Sequence, residues 1–143
     1  MFPEHGLPQL SRRMTPQHSS YKSKGGLGRL FNALRYSIQG LGAALRHEAA
    51  FRQELLVAVI LTPVAFWAGR SPVQVLLLIG AMVFVLIVEI FNSALEALAD
   101  SITVEHHPMI GRAKDLGSAA VMLSIALAVA VWLVILLSNP GAA

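Results

Sequence analysis

The chain has 143 residues, of which 55% are hydrophobic and 13% charged, with a formal net charge of +3. This apolar content exceeds that of an ordinary soluble domain, and the length allows one domain at most. The chain contains no cysteine, which excludes disulfides, thiolate nucleophiles and cysteine-based zinc sites.

The first part of the chain predicts an extension followed by a surface helix. Residues 1–27 are rich in polar residues, proline and glycine and show no hydrophobic periodicity, so we expect them to be disordered. Residues 28–47 carry leucines and Ile38 at spacings of three and four, with Arg35 and Arg46 on the other side. This pattern is typical of an amphipathic helix lying at a membrane surface.

Three hydrophobic segments then predict an all-α membrane protein with three transmembrane helices. The last segment is free of charge from residue 116 to 137, and about 20 apolar residues suffice to cross a bilayer. The first segment is short and contains Pro63, so it spans only if its helix begins near Ala49. The predicted spans cover about residues 49–69, 73–100 and 116–138, and a tail of residues 139–143 follows them.

Basic residues predict the orientation in the membrane. Most of the lysines and arginines precede the first span, the second loop carries Arg112 and Lys114, and the C-terminal tail has none. Since basic flanks remain in the cytoplasm, we expect the N-terminus and the second loop there and the C-terminus outside.

A stripe of polar side chains ends the second span. At about 100° per residue, Glu89, Asn92, Glu96 and Asp100 fall within an arc of roughly 80° on one helix face. At about 1.5 Å per residue the stripe is roughly 16 Å long. Ionisable groups beside hydrocarbon are costly and usually mark a functional site. The predicted orientation places this one at the cytoplasmic end.

The stripe, together with Glu48 and Glu54, favours a site for a divalent metal and phosphate. Mg²⁺ takes one or two carboxylates plus substrate phosphate oxygens, and a carboxylate at the membrane interface is a candidate proton acceptor. No GxxxxGK[ST] phosphate-binding loop is present. His106 and His107 are adjacent and point in different directions on regular structure, so a solvated loop explains them better than a metal site.

Three motifs carry a resemblance to a known family. Residues 48–54 (EAAFRQE), 89–96 (EIFNSALE) and 111–120 (GRAKDLGSAA) resemble the bacterial integral-membrane diacylglycerol kinases in order and spacing. The resemblance extends over about residues 28–138. It implies a homotrimer in the bacterial inner membrane, with composite active sites shared between neighbouring subunits at the cytoplasmic interface.

The resemblance also implies an activity and a set of site residues. The enzyme would transfer the γ-phosphoryl group of ATP to the primary hydroxyl of diacylglycerol, giving phosphatidic acid, and nucleic acid is no expected partner. Glu89 would be the general base, and Glu48 and Glu96 would hold Mg²⁺ on the ATP phosphates. The implied ATP contacts are Arg29, Tyr36, Glu48, Glu96, Glu105, His106, His107, Lys114 and Asp115. The implied lipid contacts are Arg29, Glu54, Glu89 and Ser118, with Asn92, Asp100 and Arg112 in support. His106 stands where the family has an aromatic residue, and Pro108 replaces a more polar one.

Three alternatives stay open at this point. A related branch of the family phosphorylates undecaprenol, although the alanines of residues 48–54 favour the diacylglycerol branch. A small proton-coupled transporter would use Glu89 as its carrier, but such a carrier needs one acid accessible in turn from both sides. A non-catalytic assembly subunit would leave the intramembrane acids without a role.

Overall fold

The computed structural model describes residues 26–102 and 107–139. These residues form four helices, α1 Leu27–His47, α2 Ala49–Ala68, α3 Pro72–Ile102 and α4 Pro108–Ser138. The last three are long and apolar enough to cross a membrane, which confirms the all-α membrane fold class. Most of the expected N-terminal extension, together with Glu105, His106 and the end of the tail, lies outside the described residues. A single chain is described, so the homotrimer stays a prediction.

The chain divides into two units, Met1–Tyr36 and Ser37–Ala143. The described part of the first unit is the N-terminal half of α1, whose side chains are exposed. The second unit contains the rest of α1 together with α2, α3 and α4. The candidate site described below belongs to this second unit.

Helix α2 begins at Ala49, where the first predicted span must begin if it is to cross the membrane. Glu48 alone separates α2 from α1, in an extended conformation with φ −99° and ψ 112°. Pro63 lies inside α2 and cannot donate a backbone hydrogen bond. The neighbouring Thr62 hydroxyl donates to the Ala58 carbonyl at 2.7 Å, and the helix continues to Ala68.

A tight turn joins α2 to α3. Gly69 is required there because a Cβ at this position would lie 2.7 Å from Cγ2 of Val75 and 3.0 Å from its backbone nitrogen. Ser71 precedes the helix, and its hydroxyl accepts a hydrogen bond from the Gln74 backbone N–H at 3.2 Å, as an N-cap residue does. Pro72 then occupies the first helical position, where its missing N–H costs nothing.

Helix α4 begins at Pro108, well before residue 116, where the predicted span begins. His107 is its N-cap residue, and the backbone N–H groups of Ile110 and Gly111 both donate to the His107 carbonyl at 3.0 Å. Hydropathy detects only the apolar part of a helix. The polar first turns of α4 therefore extend the predicted span toward the N-terminus.

The apolar core lies where the end of α2, the start of α3 and the end of α4 meet. Its buried members are Ala65, Ala68, Leu78 and Ile135. Trp132 packs against this cluster and its indole N–H donates to the Leu78 carbonyl at 3.3 Å. Alanines allow apolar helices to approach closely. The helices alternate in direction, so the start of α2, the end of α3 and the start of α4 share the opposite end.

Large apolar side chains cover the outer faces of the three long helices. Leu76 on α3 is 70% exposed and Leu123 on α4 is 65% exposed. An apolar surface of this extent suits hydrocarbon rather than water. The protein is accordingly an all-α membrane protein.

Candidate active site where three helices meet

The polar stripe on α3 becomes progressively more exposed toward the C-terminal end of the helix. Glu89 is only 4% exposed. Asn92 and Glu96 are half-buried, and Asp100 is exposed. Because helical periodicity places the four on one face, the stripe leads from a nearly solvent-free carboxyl group to a solvated one.

Asn92 fixes the orientation of Glu96. The side-chain amide of Asn92 donates a hydrogen bond from Nδ2 to Oε1 of Glu96 at 3.1 Å. The amide oxygen of Asn92 is buried and has no hydrogen-bond partner among the described residues. The carboxyl oxygen Oε2 of Glu96 takes no part in this bond.

Three carboxylates gather around Glu89, and we call the four together the carboxylate cluster. Glu48 and Glu96 lie close enough to Glu89 to interact with it electrostatically, and Glu54 interacts with Glu89 in the same way. Oε2 of Glu54 is buried and has no hydrogen-bond partner among the described residues. Like charges in a poorly solvated place repel one another unless a cation or a proton joins them. The cluster is therefore suited to bind a cation and to accept a proton.

Arg52 holds the junction that carries Glu48. Its guanidinium Nη1 donates to the carbonyl oxygens of Leu45 at 3.3 Å and Arg46 at 3.2 Å. These carbonyls belong to the last turn of α1, where carbonyls lack helical partners and a positive charge is favourable. The Glu48 side chain makes no capping hydrogen bond to α2. Arg52 thus secures the backbone on both sides of Glu48.

An ion pair joins α3 to α4 at the outer end of the stripe. Nζ of Lys114 lies 2.5 Å from Oδ1 of Asp100, with the side chains 37% and 64% exposed. An exposed pair of this kind contributes only about 0–1 kcal/mol to stability. Its consequence is positional, because it keeps a lysine ammonium beside the stripe.

The remaining predicted site residues are less closely linked to the carboxylate cluster. Arg112, Asp115 and Ser118 lie on the first turns of α4 and are exposed, as is His107. Within the ranges 26–102 and 107–139, no hydrogen bond or ion pair links them to the carboxylate cluster. Two further residues, Arg29 and Tyr36, are exposed on the half of α1 that belongs to the other unit. Glu105 and His106 lie outside the described residues.

Sequence reasoning missed Arg52 and Gly117. Arg52 lies inside the first motif, but no role at the site was predicted for it. Gly117 lies inside the third motif, and a Cβ built on it would collide with the amide oxygen of Asn92. A glycine within a helical pattern costs stability and often has a packing reason, which was the available signal.

The donor set fits a magnesium ion that binds together with a phosphate ligand. Across the described residues, no group of three or more His, Cys, Asp or Glu side chains could hold a metal ion. Mg²⁺ usually takes one or two carboxylates from a protein and completes its coordination with phosphate oxygens and water, and Glu48 and Glu96 would be those carboxylates. The residues present are thus right for a nucleotide-bound metal.

An apolar cavity of about 420 Å³ lies between the three long helices next to Glu54. Its walls include Val57, Val85, Ile125 and Trp132. An apolar space with a carboxyl group at its edge is suited to a hydrocarbon chain that ends in a polar group.

Comparison with known proteins shows the family to which the chain belongs. Residues 35–136 match the sequence profile described as Prokaryotic diacylglycerol kinase. The chain belongs to this family. The matched region includes Tyr36 and all three motifs, whereas Arg29 precedes it.

Individual relatives cover most of the chain. It is 45% identical over 116 residues to the diacylglycerol kinase of Escherichia coli K12, covering 81% of this chain and 95% of that protein. It is 44% identical over 119 residues to the Pseudomonas aeruginosa diacylglycerol kinase, covering 83% and 97%. The identity to the Haemophilus influenzae diacylglycerol kinase is 41% over 112 residues, covering 78% and 94%.

Proposed function

We propose that this protein transfers the γ-phosphoryl group of ATP to the primary hydroxyl of diacylglycerol, giving phosphatidic acid and ADP. The observation that carries the proposal is the buried Glu89 carboxyl group within a cluster of carboxylates, with Lys114 held near the outer end of the same stripe. Family membership and relatives named diacylglycerol kinase support the choice of substrate.

Glu89 acts as the general base. Its carboxylate takes the proton of the lipid hydroxyl while the hydroxyl oxygen forms a bond to the γ-phosphorus of ATP. The bond between the γ-phosphorus and the bridging oxygen breaks, and ADP leaves with that oxygen. Phosphoryl transfer depends on positioning and charge stabilisation more than on covalent chemistry with the enzyme. A lipid kinase can therefore work with a few polar groups on membrane helices.

Glu48 and Glu96 are the residues that would hold Mg²⁺ on the ATP phosphates. The bound metal supplies neutralisation of the negative charge on the phosphates. Asn92 keeps the Glu96 carboxylate in one orientation by its hydrogen bond, and Arg52 secures the backbone next to Glu48.

The nucleotide would lie at the outer end of the stripe. Lys114 is a cation in this region, and exchange of its weak exposed pair with Asp100 for a phosphate costs little. The other proposed nucleotide contacts are Arg29, Tyr36, Glu105, His106, His107 and Asp115, with Arg112 in support.

The lipid would approach from the hydrocarbon side. Glu54 and Ser118 are proposed lipid contacts, and an acyl chain would occupy the apolar cavity beside Glu54. In this arrangement the hydroxyl group reaches Glu89 from the membrane and Mg-ATP reaches it from the cytoplasm. The N-terminus would be cytoplasmic and the C-terminus periplasmic. Three subunits would form the enzyme, with each active site shared between neighbours.

The decisive experiment uses purified protein in lipid bilayers with γ-labelled ATP, Mg²⁺ and a panel of lipid alcohols. We expect label in phosphatidic acid when diacylglycerol is supplied and little label in undecaprenyl phosphate when undecaprenol is supplied. A strong preference for undecaprenol would move the protein to the other branch of the family. Absence of Mg²⁺-dependent ATP consumption with every alcohol would contradict a kinase and leave the transporter or the assembly subunit.

A further inference from the structure

The contact between Gly117 on α4 and Asn92 on α3 differs from that of the other helical glycines. A Cβ at Gly117 would collide with Oδ1 of Asn92, would lie 3.4 Å from its Cγ and would lie 4.0 Å from its Cα. The backbone distance is an ordinary van der Waals contact. Only the end of the amide side chain occupies the space that an alanine methyl group would need.

The other glycines within the described helices have open space at the same position. A Cβ at Gly28, Gly40, Gly42, Gly80 or Gly111 would meet nothing within 4 Å. The absence of a side chain at Gly117 therefore leaves room for one polar group on the neighbouring helix. That group is the amide that orients a carboxylate of the cluster.

We propose that Gly117 is a positioning residue, whose missing side chain lets the Asn92 amide lie between α3 and α4 and hold Glu96 in the orientation that binds the metal-nucleotide complex. The inference rests on the proposed function, because in that function Glu96 binds the metal-nucleotide complex. The Asn92 amide has one orientation that suits Glu96, with Nδ2 directed at the carboxylate. The opposite orientation would direct Oδ1 at a carboxylate oxygen, and two acceptors repel each other.

An alanine at position 117 would change this orientation without unfolding the chain. The atom in its way is the end of a flexible side chain, so the amide swings aside while the two helix backbones stay in place. Glu96 then loses its donor and its fixed orientation. Removal of a hydrogen bond that orients a metal ligand typically costs about 10–100-fold in metal affinity or activity.

The test compares Gly117→Ala with Asn92→Ala and with the variant that carries both changes. Gly80→Ala is the matched control, because it makes the same substitution inside α3 where the new methyl group meets nothing. Binding of Mn²⁺ together with a non-hydrolysable ATP analogue is measured by electron paramagnetic resonance. The KM for Mg-ATP and kcat are measured separately with diacylglycerol as acceptor.

We expect Gly117→Ala and Asn92→Ala each to weaken Mn²⁺ binding and to raise the KM for Mg-ATP by about 10-fold or more. The double variant should be no weaker than Asn92→Ala alone, because the methyl group has no amide left to displace. Gly80→Ala should bind and react as the unmodified protein does. Equal Mn²⁺ binding by Gly117→Ala and Gly80→Ala would overturn the proposal, as would effects that multiply in the double variant.

Two further outcomes are also informative. If Gly117→Ala does not assemble, a double variant that folds and binds Mn²⁺ as Asn92→Ala does supports the proposed collision, whereas a misfolded double variant contradicts it. If the unmodified protein phosphorylates no lipid alcohol, the proposed function fails independently of the glycine. The Mn²⁺ measurements still report whether Gly117 positions the amide.

Discussion

Burial separates the chemical roles of acidic side chains that share one helix. Glu89 is 4% exposed, whereas the side chain of Asp100, eleven residues further along α3, is 64% exposed. A nearly dry carboxylate has few hydrogen-bonding partners and can accept a proton from a hydroxyl group placed beside it as that hydroxyl reacts. A solvated carboxylate instead pairs weakly with a lysine. In the proposed mechanism, the same residue type serves as a base at one end of the stripe and as the partner of a lysine at the other.

Replacement of Glu89 by Gln keeps the size of the side chain and removes the proton acceptor. We expect Glu89→Gln to lower kcat by about 100–10,000-fold, the range usual for loss of a general base. Binding of the nucleotide analogue should remain. Single-turnover phosphorylation of diacylglycerol measures the first effect and analogue titration the second. Turnover at the unmodified rate would refute the assignment of Glu89 as the base.

Variants of the Lys114–Asp100 pair can separate an effect on nucleotide binding from an effect on stability. Both Lys114→Met and Asp100→Asn should change the free energy of unfolding by no more than about 1 kcal/mol, because the pair is exposed. Lys114→Met should raise the KM for ATP, since it removes a cation from the nucleotide region. Asp100→Asn keeps that cation and should raise the KM much less. Steady-state kinetics and denaturant titration check the two effects, and equal KM values would remove Lys114 from the site.

Helix ends organise the molecule at both sides of the membrane region. At the carboxylate end, Arg52 binds the last carbonyls of α1. At the opposite end, the buried Asn139 amide donates to the Ala68 carbonyl and to Oε1 of Gln74, each at 3.0 Å. Unpaired backbone carbonyls at helix ends are costly where water is scarce. These polar side chains therefore pair helix-end carbonyls and connect neighbouring helices at both ends.

The Asn139 contacts predict a stability effect at a distance from the candidate active site. Asn139→Ala removes the donor to the buried Ala68 carbonyl and to the partly buried Gln74 amide oxygen, so we expect it to lower the free energy of unfolding by about 1–3 kcal/mol. Ser138→Ala, at an exposed neighbouring position, should change it by no more than about 0.5 kcal/mol. Unfolding in mixed micelles measures both. Nucleotide binding by the folded fraction should be the same in both variants, and a change in Asn139→Ala alone would show that the two ends are coupled.

For the whole chain, the distribution of charge and the path of the helices lead to one proposed orientation. The carboxylate cluster lies at the end where α4 begins with the basic residues Arg112 and Lys114, and the core containing Leu78 lies at the other end. Nucleotides and their magnesium are found in the cytoplasm. An arrangement with the cluster on that side gives both substrates access to Glu89.

Single introduced cysteines can test this orientation, because the chain contains none of its own. Arg70 and Ser101 are exposed residues near opposite ends of α3. A membrane-impermeant maleimide should label Arg70→Cys in intact spheroplasts and should label Ser101→Cys only after the membrane is opened. Labelling in the reverse pattern would place the carboxylates outside and contradict the proposed use of cytoplasmic ATP.

Helical periodicity and hydropathy were sufficient to predict the three long apolar helices and the common face of Glu89, Asn92, Glu96 and Asp100. Both signals are local, because every residue involved lies within one helix and 3.6 residues make a turn. The spacing of Asn92 and Glu96 is also the spacing at which helical side chains meet. The same spacing does not predict which residues of the stripe are buried.

Contacts between helices could be identified only from the folded structure. Asp100 meets Lys114, Asn92 meets Gly117, and Asn139 meets Gln74 only because α3 packs against α4 and the turn after α2 brings the helix ends together. These partners lie on different helices, and no periodicity within one helix encodes how two helices are rotated against each other. The sequence therefore placed the acidic groups on a face, whereas the packing of α2, α3 and α4 determined which of them lose water and which gain a partner. Solvation and pairing depend on neighbours in space, and these neighbours are what give each carboxylate its chemistry.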